Sequence, residues 1–120
     1  MKHFYISVFI FSAVICLCFS EKVFIENTMN NMESKVNLLY KADIIDDTYM
    51  SRVNILKNYY FIKKNMLHIF VNKEHIKEIE LNILLLETSA VNNDIESCKE
   101  KAVEIINMIE FITANQIAID

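Results

Sequence analysis

Apolar residues recur in this 120-residue chain in four blocks with helical spacing. Ile25, Met29, Met32, Val36 and Leu39 step by 4, 3, 4 and 3 residues and predict one face of a helix over 22–42. Asp43, Asp46 and Asp47, with Thr48 beside them, interrupt that rhythm. Short polar side chains of this kind favour turns and helix N-caps. The second block, 47–71, carries two adjacent stripes. Tyr49, Val53, Leu56 and Tyr60, continued by Leu67 and Phe70, form one; Ile55, Tyr59, Ile62, Met66 and Ile69 form the other. Together they predict a broad apolar face on the central helix of the domain, with Lys57, Lys63 and Lys64 in water.

Asn72 is the predicted joint and N-cap of a third helix, which places Glu74 in the first turn, where a negative charge suits the helix dipole. Ile76, Ile79, Ile83, Leu86 and Ala90 supply its apolar face. Ile79, Leu81, Ile83 and Leu85 also alternate as a strand would, but the neighbouring blocks and the lack of turn residues favour helix. Asn92, Asn93 and Asp94 form the next joint, and Asn93 with Glu96 fits a capping box. In the last block Ile95, Cys98, Ala102, Ile105, Ile109, Ile112, Gln116 and Ile119 share one face, with Glu96, Lys99, Glu100, Glu104 and Glu110 opposite. Four helices with short joints predict an all-α fold, a small antiparallel four-helix bundle running up-down-up-down. The runner-up is a three-helix core with the first helix loosely docked or exchanged between subunits.

Composition strengthens the all-α reading. The chain has no Gly and no Pro, where about 14 of the two together would be average. A β-sandwich or barrel needs tight turns that these residues normally supply. Long helices joined through Asn and Asp need neither. The same absence excludes a Rossmann fingerprint, a P-loop, a nucleophile elbow and an EF-hand loop.

The first 20 residues read differently from the rest. Lys2 and His3 precede an apolar run from Phe4 to Phe19 broken only by Ser7 and Ser12, and Cys18 and Ser20 sit where a cleavage before Glu21 would place small residues. This is the pattern of a secretory signal peptide, and the run is short for a membrane span. The expected organisation is a signal peptide over 1–20 and a single all-helical domain over 21–120, secreted and extracellular. Lys2 is the one Lys or Arg in the leader, so residues 21–120 carry 11 basic against 16 acidic residues, a net charge of −5. An acidic balance speaks against nucleic acid and anionic membranes as main partners.

Cleavage would leave Cys98 as the sole cysteine, so the domain would hold no intrachain disulfide. Cys98 is a candidate buried free thiol on the apolar face of the last helix, with an intermolecular disulfide as the alternative; the domain would accordingly be a monomer or a homodimer. His68 and His75, near Glu74 and Glu78, lack the converging set that zinc needs. Asp43, Asp46 and Asp47 lack the further ligands and turn-making Gly of a calcium loop. No metal, cofactor or catalytic site is expected. Tyr59, Tyr60 and Phe61 are the candidate protein-contact aromatics, should any of them be exposed.

These readings converge on a non-enzymatic secreted protein that binds an unknown protein partner. The abundance of Ile, Asn and Lys, which have AT-rich codons, suggests a parasite or insect effector. The alternative is a carrier of a small hydrophobic ligand in the bundle interior. The third choice is a membrane-surface-active amphipathic protein, weakened because the polar face of the last helix is acidic.

Overall fold

The computed structural model describes the backbone of residues 2–119 and the side chains of residues 2–114. Four helices make up the described chain: α1 (Lys2–Tyr40), α2 (Asp47–Phe70), α3 (Lys73–Val91) and α4 (Ile95–Ile119). The segment 79–86 is helix throughout, not strand. Each helix packs on its neighbours in the chain, and α4 closes the ring on α1. Side-chain pairs fix the directions. Asn31 of α1 meets Tyr59 of α2, Lys64 of α2 meets Glu80 of α3, and Ser89 of α3 meets Ser97 of α4. Lys99 near the start of α4 meets Asp43, just past the end of α1. All four neighbouring pairs are antiparallel, as expected of an up-down-up-down bundle.

The joints explain how a chain without Gly or Pro turns so sharply. Asp46 caps α2, its carboxylate accepting the Tyr49 amide at 2.8 Å. Asn72 caps α3, its side chain accepting the Glu74 amide at 3.0 Å. The third joint departs from the predicted capping box. Asn93 does not cap α4; it takes a left-handed backbone, φ 58°, past the end of α3. The Asp94 amide donates back to the Ser89 carbonyl and the Asn93 amide to the Ala90 carbonyl, the paired bonds of a Schellman ending. Asn substitutes here for the usual Gly, because it tolerates φ > 0 better than other residues. The N-cap passes to Asp94, whose carboxylate accepts the Ser97 amide at 3.1 Å.

The core follows the predicted stripes closely. Ile25, Met29, Met32, Val36 and Leu39 of α1 are all buried, as are Ile76, Ile79, Ile83, Leu86 and Ala90 of α3. On α4, Cys98, Ala102, Ile105, Ile109 and Ile112 are buried and Ile95 is half-buried. Gln116 and Ile119 lie outside the residues whose side chains are described. Two polar residues, Thr28 and Asn82, are buried alongside the apolar ones.

Helix α1 starts well before the predicted position. It runs unbroken for 39 residues, about 58 Å, because nothing between Phe19 and Val23 stops a helix. Residues 2–20 are exposed throughout and extend beyond the bundle, which accounts for a long axis of 68 Å against 24 and 21 Å. By length and composition this part of α1 is apolar enough to cross a membrane, with a mean hydropathy of 2.2 over its best window. Packing starts at Glu21, which is half-buried, and the first core residue is Ile25.

Candidate functional site

The two stripes of α2 have separate fates. Tyr49, Val53, Leu56, Tyr60 and Leu67 are buried against the other helices. The second stripe does not widen the core, contrary to the predicted broad face. Ile62 and Ile69 are about three-quarters exposed (75% and 73%), and Ile55 and Met66 about half (52% and 51%). The reason is geometric. In a ring of four helices each helix touches two neighbours, and one stripe on α2 fills its share of the interior. The second stripe lies about 130° further round the helix at 100° per residue, so it faces out along the α1 side.

The aromatic trio divides in the same way. Tyr60 is fully buried and its hydroxyl donates to the Ile76 carbonyl at 3.2 Å. It offers no surface to a partner. Its ring also meets Phe61 edge-on at 5.4 Å, and Phe61 is 41% exposed. Tyr59 is half-buried at the junction of α1 and α2, where its hydroxyl accepts from the Asn31 side chain at 3.3 Å. The structure thus leaves Tyr59 and Phe61, on opposite sides of α2, within reach of another molecule.

Charge separates the two flanks of α2. Toward α3, Lys57 pairs with Glu87 at 3.0 Å and Lys64 with Glu80 at 2.7 Å, both half-buried. These lysines bridge helices and are not freely solvated as predicted. Toward α1 there are cations without carboxylates. Lys35 lies 4.5 Å from the centroid of the Tyr59 ring, and Lys63 lies 5.9 Å from the same ring and 5.8 Å from Phe24. Neither forms an ion pair among the described residues, nor does half-buried Arg52. Phe24 also meets Phe70 at 6.0 Å. Beside them Met66, Phe70 and Phe24 line an apolar hollow of about 410 Å³ that reaches Leu17 and Cys18 in the N-terminal part of α1.

Cys98 is fully buried, and its thiol points to the Leu86 carbonyl at 3.8 Å. Burial pushes the thiol pKa up from its ordinary value, which works against thiolate formation. A dimer bond through Cys98 would require this part of the core to open. The Tyr49 hydroxyl, buried with no hydrogen-bond partner, has this thiol as its polar neighbour. Burial first, and then Cys98, hold the Tyr49 phenol protonated far above its ordinary range.

His75 is spent on an edge contact with Phe111 at 5.0 Å. Among the described residues no three His, Cys, Asp or Glu side chains group as metal ligands. Further hollows open to the surface, among them one of about 320 Å³ between α3 and α4 beside Asn82, one of about 420 Å³ beside Tyr40 and Val103, and one of about 360 Å³ at the joints beside Asp43 and Asn93. Periodicity alone had marked the α2 surplus; the unpaired lysines over Tyr59 emerge only once α1 and α2 are packed together. Comparison with protein-family models, with curated proteins and with solved structures gives no match.

Proposed function

We propose that this chain is a secreted, non-enzymatic helical protein that acts by binding another protein. The observation that carries the reading is the outer stripe of α2. Ile55, Ile62, Met66 and Ile69 form one continuous exposed apolar line on a domain whose other helices largely spend their stripes on the core. Monomeric soluble proteins seldom leave such a line uncovered without an interaction to serve. Secretion draws support from the coincidence of two boundaries. The signal-peptide pattern ends at Ser20, and the packed part of the chain starts at Glu21. The carrier reading draws less support, since the hollows beside Asn82, Tyr40 and Phe24 all open to the surface.

The test is native mass spectrometry on the protein secreted by eukaryotic cells that express residues 1–120, without reductant and before and after incubation with extracellular host proteins. The expected result is a ligand-free species of residues 21–120 that acquires the mass of a protein partner. An added small-molecule mass would transfer the proposal to the carrier class, and retention of the leader in the membrane fraction would end the secretion reading.

A further inference from the structure

The 4-3-4-3 spacing of Ile55, Tyr59, Ile62, Met66 and Ile69 is the spacing of a helix-pairing seam. From Ile55 to Ile69 it spans 15 residues, about 21 Å along the helix, enough for two heptads of contact. The positions flanking such a seam set partner choice through charge. On α2 one flank is neutral, with Asn58 and Asn65, and the other presents Lys63. Lys35 of α1 joins it across the Tyr59 ring, and no described carboxylate neutralises either ammonium. In a chain of net charge −4, this is a local positive rim beside an apolar line.

We propose that the outer stripe of α2, with Lys35 and Lys63 beside it, is a docking site for an amphipathic helix of a partner protein whose apolar seam is flanked by Asp or Glu. This rests on the protein-binding reading above and specifies its surface and the chemistry of the partner. An incoming carboxylate would meet ammonium groups already held by the Tyr59 and Phe24 rings, so little side-chain freedom is lost on pairing. A second copy of this chain fits less well. Pairing two α2 seams antiparallel about Ile62 would bring Lys63 close to its own counterpart, a like-charge contact. A lipid surface also fits less well, because three unpaired cations, Arg52 included, fall short of the four to eight that mark anionic-lipid binding.

The probe is a 21-residue helical peptide with Leu at the seam positions and Glu at the flanks, compared with the same peptide carrying Lys at the flanks. Binding is read by fluorescence anisotropy on protein secreted by cells that express residues 1–120. The Glu peptide should bind at least tenfold more tightly than the Lys peptide. Lys35→Glu with Lys63→Glu should reverse that order. Ile62→Glu should weaken the Glu peptide tenfold or more while the circular dichroism stays unchanged, because Ile62 stands free of the core. No binding of either peptide, or equal binding insensitive to the lysine substitutions, overturns the proposal. So does a concentration-dependent oligomer, or adsorption to phosphatidylserine vesicles, that Ile62→Glu abolishes. Photo-crosslinking from position 62 and from Asn107 on α4 separates the two levels. A native partner caught only at 107 overturns this surface and leaves the protein-binding reading standing, whereas no partner at either position ends both.

Discussion

The inner and outer stripes of α2 have nearly the same chemistry and opposite surroundings. Val53, Leu56, Tyr60 and Leu67 face in; Ile55, Ile62, Met66 and Ile69 face out. Both repeat at helical spacing, and both contain large aliphatic residues. What separates them is supply and demand in the ring. Three neighbouring stripes, from α1, α3 and α4, converge on a bundle interior with room for one more. The inner stripe takes that room. The outer one is left with water, Tyr59 and the two lysines. Apolar periodicity therefore reports a face that can be buried, and the packing decides which face is.

The largest expected effect is the most direct break of this comparison. Leu56→Ala removes buried methyl groups and leaves a cavity, so it should cost about 2–5 kcal/mol of unfolding free energy. Ile62→Ala trims an exposed side chain and should fall within about 0.5 kcal/mol of zero. Urea titration of both variants measures the difference. Comparable losses at the two positions would mean that the outer stripe is covered in solution, by self-association or by a repacked α1.

The same comparison shows what the sequence made legible. Every predicted core residue of the first block is buried, because a single stripe bounded by Asn, Glu and Ser has one way to face. Asn72 reads correctly as a cap because it is the one short polar side chain at that joint, with Lys73 and Glu74 following. At the third joint three polar residues compete. Asn93 goes to the left-handed position that a Gly would otherwise hold, and Asp94 becomes the cap. A capping box read from spacing alone misses this competition. The start of α1 is missed for a related reason: the composition shifts at residue 20, yet helical propensity continues across it. The surplus on α2 is visible in the sequence; that its exposed flank is cationic follows from which lysines find glutamates on α3, and that is a property of the packing.

A second consequence follows from the inner stripe's two tyrosines. Tyr49 and Tyr60 are both pushed well above the ordinary tyrosine value of 10.0, by burial in each case, with Cys98 adding for Tyr49 and Glu80 for Tyr60. In the unfolded chain these phenols lose their protons near pH 10; in the folded chain they keep them. The Cys98 thiol, raised by burial from an ordinary value of 9.0, behaves in the same way, so the folded state holds more protons, and stability is fully present below about pH 9 and falls as pH rises above it. The slope should be about 1.4 kcal/mol per pH unit for each tyrosine. Tyr60→Phe removes one of the three raised groups, so it should shorten the slope above pH 10 by about a third. Chemical denaturation between pH 8 and 11 reads the slopes; an alkaline limb that Tyr60→Phe leaves unchanged would deny that the inner stripe's phenols carry it.

The smallest expected effect compares the two buried hydroxyls at neutral pH. Tyr60 donates to the Ile76 carbonyl, which ties α2 to the first turns of α3. Removing that hydroxyl in Tyr60→Phe leaves the carbonyl with only its place in the helix and should cost about 1 kcal/mol. The Tyr49 hydroxyl is buried with only the Cys98 thiol, a weak partner, beside it, so its desolvation is poorly compensated. Tyr49→Phe removes a group that costs free energy to bury and should be neutral or stabilising by up to about 1 kcal/mol. Both residues keep their rings, so cavity formation contributes to neither. Thermal unfolding at pH 7 should therefore move the two melting temperatures apart. A loss for Tyr49→Phe as large as that for Tyr60→Phe would show that Cys98 is a true hydrogen-bond partner of Tyr49, and that the polar pair at this end of the core is stabilising.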